Sequence, residues 1–329
     1  MNFDIPVVLF FMKRTKSTLQ VLKGIAEVKP QKLYLVSDAG RNKEEMEKVL
    51  QCRRIIEQNI NWPCEIVKDY AEENKGVLDR IGYGARRIFE KEEYAIFLED
   101  DNVPDKTFFY FCKEMLLRYK NASNVLWICG TNYLEEYKSP YGHSYVFTKH
   151  MLPCGWASWS DKFLEMYDPE LKGLNVPFIR DNYKGFYNNI QFEKQRIYSI
   201  NATRTELDEG NRKVSWDNQM TFTLMSNRVY GIAPCVNLIK NIGVDKNATH
   251  GGTSYRNPMT RRFCGIKTKS MQFPLVHPEK ILEDKNYEEI IRKIKHTPWW
   301  YMIGIKAARI IRNLFGIPKD VSFSKYIFR

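Results

Sequence analysis

Three short apolar runs, each closing on a polar or acidic turn, constrain this chain more than any other feature. Pro6–Met12 is continuously apolar, Lys32–Ser37 is largely so, and Tyr94–Leu98 is fully so. Runs of this kind fit strands covered on both faces. Between them lie stretches with helical spacing. These are Ser17–Val28 (with Leu19, Leu22, Ile25 and Ala26 apolar), the charged amphipathic Lys43–Asn59, and Lys75–Phe89. Cys64–Val67 reads as a further short strand. Strands joined by helices of this length need crossover connections, hence a mostly parallel sheet. The expected class is α/β, a Rossmann-like, mostly parallel sheet flanked by helices, with a C-terminal helical appendage. In such sheets ligands gather beyond the carboxyl ends of the strands. Two runs end there in acids: Asp38 after the second, and Glu99-Asp100-Asp101 after Tyr94–Leu98.

The second half is less periodic. Asn124–Cys129 reads as a strand, Val229–Asn237 contains another, and Val244–Thr253 reads as a glycine-bearing loop. Residues 171–215 are polar, rich in Asn, Tyr and Arg, and show no clear period. No internal repeat or low-complexity linker divides the chain. The expected division is one catalytic domain over 1–255 and a basic extension over 256–329.

Composition narrows the function classes. Hydrophobic residues make up 43% of the 329, enough for a buried core, which excludes a mainly disordered chain. Lys and Arg number 51 against 39 Asp and Glu, a net charge of +12. A basic balance fits nucleic acid, an anionic membrane surface or phosphate-bearing substrates. The charge is spread along the chain and no nucleic-acid-binding motif accompanies it, so no nucleic-acid partner is expected. No run approaches the roughly 18 apolar residues that span a bilayer. Ile5–Met12 is short, and its basic residues follow rather than precede it, the wrong order for a secretion signal. Seven cysteines form no CxxC pair. They read as reduced thiols in a cytoplasmic protein.

Four places carry residues suited to chemistry. Three adjacent carboxylates at Glu99-Asp100-Asp101 repel one another unless a cation neutralises them. Hard divalent cations take carboxylate oxygens and draw phosphate oxygens into the same shell. The alternative is a solvated acidic turn, or a cap for a helix at Lys106–Tyr119. Asp217, beside Trp216, fits a general base or, equally, a helix N-cap. His250, followed by Gly251 and Gly252, fits a phosphate or metal contact, or a satisfied polar residue. Gly155-Trp156-Ala157-Ser158-Trp159 offers aromatic faces to a sugar ring, or a packed core segment.

In this order the motifs resemble a nucleotide-sugar glycosyltransferase of the GT-A fold, within the bacterial group related to eukaryotic N-acetylglucosaminyltransferase I. The resemblance runs from Pro6 to Gly252. It rests on Pro6–Thr15 with Lys13-Arg14, Leu35–Gly40, Phe97–Phe109, Leu152–Trp159, and Trp216–Met220 followed by Asn237–Gly243 and Ala248-Thr249-His250. It implies a nucleotide-sugar half at about 1–125 and an acceptor half at about 126–255. Arg14 and Asp38 would contact the nucleobase or ribose, and Glu99 and Asp100 would face the nucleoside and sugar. Asp101 would bind a divalent cation, Mn2+ or Mg2+, bridging the diphosphate. Asp217 would deprotonate the acceptor hydroxyl. The eukaryotic pattern has two adjacent acids after the tryptophan, and here the second is Asn218. If the second acid is the base in that family, Asn218 stands in its place. His250 would close over the donor diphosphate, and Trp156, Trp159 and Trp216 would meet the acceptor. The implied reaction is inverting transfer from a UDP-sugar to a glycan or lipid-linked glycan in surface polysaccharide synthesis.

Two other classes are weighed beside it. A sugar-1-phosphate nucleotidyltransferase shares the parallel sheet and carboxylate-bound magnesium, but its glycine-rich, Arg-bearing N-terminal loop is missing from Phe11-Met12-Lys13-Arg14. A degenerate glycosyltransferase serving as a glycan-binding module would not need the intact triplet and Asp217. The tail, Trp299–Phe315, is apolar with Lys306, Arg309 and Arg312 at helical spacing. It fits a helix lying on an anionic membrane surface, at the inner face of the plasma membrane, or one packed on the catalytic domain.

Overall fold

The computed structural model describes residues 3–244 and 258–298, with positions 303, 304, 307, 310, 311 and 314. Ten strands follow one another as β1 (Val7–Phe11), β2 (Lys32–Ser37), β3 (Glu65–Tyr70), β4 (Tyr94–Glu99), β5 (Asn102–Pro104), β6 (Val125–Cys129), β7 (Tyr145–Thr148), β8 (Trp156–Trp159), β9 (Tyr230–Pro234) and β10 (Ile239–Asn241). Eight of them form one sheet in the order β3-β2-β1-β4-β8-β6-β9-β7, and β5 pairs with β10. β1, β2, β3 and β4 run parallel. β8 runs against both β4 and β6, so β6 and its parallel neighbour β9 share the direction of β4. Only β8 and β7 oppose the rest of this sheet. The expected α/β class with a mostly parallel sheet is what the chain adopts.

The alternation of β1 shows why. Val8 and Phe10 enter the core on one face of the sheet, and Val7, Leu9 and Phe11 enter the core on the other. A strand buried on both faces has no polar side to show, hence the continuous apolar run. The helices are α1 (Thr15–Ala26), α2 (Lys43–Gln58), α3 (Gly84–Phe89), α4 (Lys106–Arg118), α5 (Ser160–Met166), α6 (Pro177–Asn182), α7 (Ile190–Asp208), α8 (Asp217–Asn227), α9 (Pro258–Phe263) and α10 (Lys285–Lys295). Several start at side-chain caps. Asn42 accepts from the Glu45 amide, Asp105 from Thr107, Asn189 from Phe192, and Asp284 from Asn286 and Tyr287. Each satisfies amides that the first turn leaves unpaired.

One expectation changes here. Lys75–Phe89 is not one regular helix, because a π-helical turn at Leu78–Tyr83 precedes α3. Gly82 within it lies against the Tyr167 hydroxyl, 2.6 Å from where a Cβ would stand. Residues 171–215, which show no period, fold into α6 and α7. The buried stripe of α7 includes Thr203 beside Phe192, Ile200 and Leu207, while Ile190 and Tyr198 face outward. Polar residues inside the stripe and apolar ones outside it erase the amphipathic signal. The described part of the C-terminal extension lies against the sheet as far as α10. Met271 and Leu275 join the core on one sheet face, Tyr287 and Ile291 of α10 on the other, and Glu283 bridges to Phe147 of β7.

All seven cysteines are free. Among the described residues no helix is long and apolar enough to cross a membrane. Lys306, Arg309 and Arg312 of the tail lie outside the described residues, whereas Ile303, Ile310, Ile311 and Leu314 are helical and exposed.

Candidate active site

The chain leaves β1 toward β2 and β3, then returns to the opposite side of β1 as β4. The carboxyl ends of β1 and β4 therefore flank the crevice where the connection changes sides, the place at which open α/β sheets bind ligands. Phe10 of β1 stands in register with Glu99 of β4. Arg14 follows β1 and opens α1; the acidic triplet ends β4.

These side chains meet. Arg14 Nε donates to Asp100 Oδ2 at 3.2 Å, its Nη2 pairs with Asp100 Oδ1, and the same nitrogen donates to Asp101 Oδ2 at 2.8 Å. Burial pushes the Asp100 carboxyl up to about 6, with Arg14 opposing and Asp101 adding to the shift. Burial, then the charges of Asp101 and Asp100, hold Glu99 well above the usual carboxylate range. Burial works against the charge of Arg14, but Asp100 and Asp101 outweigh it and raise its pKa. One guanidinium thus faces three carboxylates, and the surplus negative charge favours a further cation.

The β5–β10 ribbon closes over this cluster. Asn102 pairs with Asn241, and the Ile242 amide donates to the Asp101 carbonyl at 2.8 Å. Gly243 lies so close to the Asp101 carboxylate that a Cβ there would collide with it. Asn102 Oδ1 accepts from the Gly155 amide at 2.8 Å, where Gly155 has a φ of 61°. Asn241 Nδ2 reaches Cys154 Sγ at 3.3 Å. Three segments far apart in sequence, Phe97–Phe109, Leu152–Trp159 and Asn237–Gly243, therefore converge on the triplet. His250 lies outside the described residues.

Among the described residues no three His, Cys, Asp or Glu side chains form a ready-made metal cage. The donors nonetheless fit a small hard cation of the Mg2+ or Mn2+ type. Each Asp101 oxygen accepts one side-chain bond, Oδ1 from Asn102 and Oδ2 from Arg14, and so keeps a lone pair, and the glycine at 243 is the residue that clears Oδ2. Such ions are often held by one or two carboxylates, with phosphates and water completing the shell. Beside the cluster a cleft of about 800 Å³ opens between the starts of α1 and α2, where Lys13, Arg14, Lys16 and Lys48 stand beside Glu44 and Glu45. Lys13 pairs with Glu45, Lys48 with Glu44 and Arg14 with Asp100 and Asp101, so what the cleft offers an anion is Lys16 and the first-turn amides of two helices.

Asp217 is the first residue of α8, and Ser215 Oγ donates to its Oδ1. Its charge acts on Glu99, so the two carboxylates lie within electrostatic reach of one another. Asn218 is engaged elsewhere, donating through Nδ2 to Thr203 Oγ1 of α7 at 2.9 Å.

Two groups of expected site residues are placed differently. Asp38 is saturated: Oδ1 accepts from the amides of Ala39 and Lys75, and Oδ2 from the Gly76 amide and Asn74 Nδ2, all at 2.9 to 3.0 Å. Its carboxylate holds the loop after β3 against the end of β2, leaving no free lone pair for a nucleoside. Trp156, Trp159 and Trp216 are 1%, 1% and 4% exposed. Trp156 is stacked between Phe97, 3.9 Å between centroids, and Trp127, at 4.3 Å. These rings are core and present no face to a sugar. The surroundings of Asp217 instead include Tyr133, Arg196 and Lys295, on each of which its charge acts. No motif marks these three, because they come from a loop after β6, from α7 and from α10.

No protein-family model matches the sequence, and no curated protein matches it. Among solved structures the chain is similar to S. aureus TarS 1-349, with 10% identity and a TM-score of 0.40 over 72% of this chain and 59% of that one. It is similar to the mannosyltransferase PcManGT from Pyrobaculum calidifontis in complex with GDP-Man and Mn2+, with 12% identity and a TM-score of 0.41 over 75% and 59%. It is also similar to an apo UDP-glucose pyrophosphorylase, with 12% identity and a TM-score of 0.35 over 72% and 93%. The match spans less than two thirds of the length of the first two.

Proposed function

We propose that the chain is a metal-dependent inverting glycosyltransferase of the GT-A type, moving a sugar from a nucleoside-diphosphate donor, UDP by resemblance, to a hydroxyl of a glycan or lipid-linked glycan. One observation carries the reading. The acidic triplet and its counter-cation Arg14 sit at the point where the sheet changes direction, with a separate carboxylate, Asp217, in electrostatic reach of Glu99.

Asp101 would hold the divalent cation, with Glu99 and Asp100 contributing negative charge around it. The bound cation supplies Lewis acidity that neutralises charge on the leaving diphosphate. Arg14 fixes the carboxylates through three hydrogen bonds and releases charge toward incoming phosphate. The cleft at the starts of α1 and α2, with its helix N-termini and Lys16, holds the anionic part of the donor. Asp217 takes the acceptor hydroxyl proton as that oxygen bonds to the anomeric carbon and the sugar–phosphate bond breaks, leaving the nucleoside diphosphate. The Ser215 hydrogen bond orients Asp217 for this role.

The test is product analysis of purified protein given a panel of nucleotide sugars with Mn2+. Chelator-sensitive release of UDP, or of another nucleoside diphosphate, supports transfer. Formation of pyrophosphate-consuming exchange products instead identifies a nucleotidyltransferase, and binding of glycan without any turnover identifies a binding module.

A further inference from the structure

Two cations near Asp217 have no ion-pair partner among the described residues. α7 is tied to the chain just after α10: Gln195 Nε2 donates to the Thr297 carbonyl at 2.8 Å, and the Thr297 amide donates back to Gln195 Oε1 at 3.1 Å. This clamp brings the neighbouring residues Arg196 and Lys295 into one another's field. Arg196 lies over the Phe192 ring at 5.1 Å, and its Nε is buried with no hydrogen-bond partner. Lys295 Nζ donates to the Met151 carbonyl at 2.5 Å. No ion pair of either is present among the described residues, and each side chain is half-buried, with the Arg196 Nε sealed from solvent. Covering cationic charge without an anion is costly, and two half-covered cations share this one corner.

The chemistry of the corner is that of an anion site. Burial and then the charge of Arg196 lower the pKa of Lys295 to about 7, with Asp217 and Glu288 opposing. Burial also lowers Arg196, with Tyr187 and Asp217 opposing. The nearest acid acting on both is Asp217, which the proposed reaction assigns to the acceptor hydroxyl. A fork of guanidinium donors beside an ammonium suits a phosphate group.

We propose that Arg196 and Lys295 form a phosphate-binding subsite for the acceptor, so that the sugar is transferred to a hydroxyl on a phosphate-bearing glycan or glycolipid. This rests on the transferase reading only for the word acceptor; the anion site itself does not depend on it.

The test uses the full chain and inorganic phosphate as probe. Labelling of lysines by an amine-reactive reagent at pH 7.5 is mapped by mass spectrometry with and without phosphate, then repeated in the presence of UDP and Mn2+. The expected result is at least a fivefold slowing of Lys295 labelling by phosphate, in wild type and with UDP–Mn2+ bound. In Arg196→Gln the protection is lost, while Arg196→Lys retains part of it. Unchanged labelling of wild-type Lys295 at saturating phosphate would overturn the subsite. Protection by UDP–Mn2+ alone, with no added effect of phosphate, would assign the two cations to the donor and overturn the acceptor role. If UDP–Mn2+ fails to bind but phosphate still protects Lys295, the anion site stands and the transferase reading falls.

Discussion

At the residue scale, carboxylates differ in how many lone pairs remain. Each Asp101 oxygen accepts a single side-chain bond, from Asn102 or Arg14, and Asp217 Oδ1 accepts from Ser215, whereas each Asp38 oxygen accepts two bonds and is filled. Asp38→Ala is therefore expected to lower stability by about 2 kcal/mol or more, chiefly from the buried Ala39 and Gly76 amides left unpaired. Thermal unfolding of the variant checks it, and an unchanged melting temperature accompanied by weaker UDP binding would restore Asp38 to the donor site. Asp217→Asn is expected to lower turnover by about 10²- to 10⁴-fold with donor affinity within about twofold. Steady-state kinetics decide, and a loss confined to KM would remove Asp217 from the proton transfer. The triplet was legible in the sequence because three adjacent acids after an apolar strand demand a cation wherever they fold. The fate of the tryptophans was not, because Gly155–Trp159 has the same composition whether its rings face a ligand or a core. Only the stacking of Trp156 between Phe97 and Trp127 decides it.

At the element scale, α10 shows what sequence periodicity leaves unsaid. Its apolar face was readable in principle, but its docking partner, the edge strand β7, is more than a hundred residues upstream. The docking is partly electrostatic. Glu288 Oε1 accepts from the Thr148 hydroxyl and from the Lys149 amide at 3.1 Å, and Lys149 Nζ reaches Glu283 at 2.9 Å. Burial raises the Glu288 carboxyl to about 7, with the bonds from Thr148 and Lys149 opposing and Glu283 adding to it. A carboxyl whose pKa is raised on folding contributes stability below its unfolded value near 4.5, and that contribution is lost as pH rises through 7. Glu288→Gln keeps an oxygen for both bonds and removes the titration. It is expected to be more stable than wild type by about 1–3 kcal/mol at pH 8, with the difference vanishing near pH 4.5. Denaturation curves at the two pH values test this, and a variant less stable than wild type at pH 8 would show that the charged form is the one α10 needs. The same scale explains why 171–215 was opaque: α7 buries Thr203 and exposes Ile190 and Tyr198, so no amphipathic period reaches the sequence.

At the scale of the whole molecule, the mostly parallel sheet was legible from alternating apolar runs and amphipathic stretches. The order β3-β2-β1-β4-β8-β6-β9-β7 was not, since nothing local records which strand neighbours which. That order creates the crevice between β1 and β4 and so places Arg14 against Asp100 and Asp101. The tail carries a separate expectation. Exposed apolar positions at Ile303, Ile310, Ile311 and Leu314 combine with the basic residues of the same stretch to favour an anionic surface. A chain truncated after Pro298 is expected to lose co-sedimentation with anionic vesicles while retaining its melting temperature; co-sedimentation equal to that of the full chain would show that the tail does not bind membranes. The central claim, a metal-dependent nucleotide site built on Asp101, is tested most directly by titrating UDP into the full chain with Mn2+, with chelator, and into Asp101→Asn with Mn2+. The expected result is binding in the first case and at least a tenfold loss in the other two, with the variant folded as judged by its melting temperature. Equal UDP affinity with and without metal, or unchanged affinity in Asp101→Asn, would contradict it.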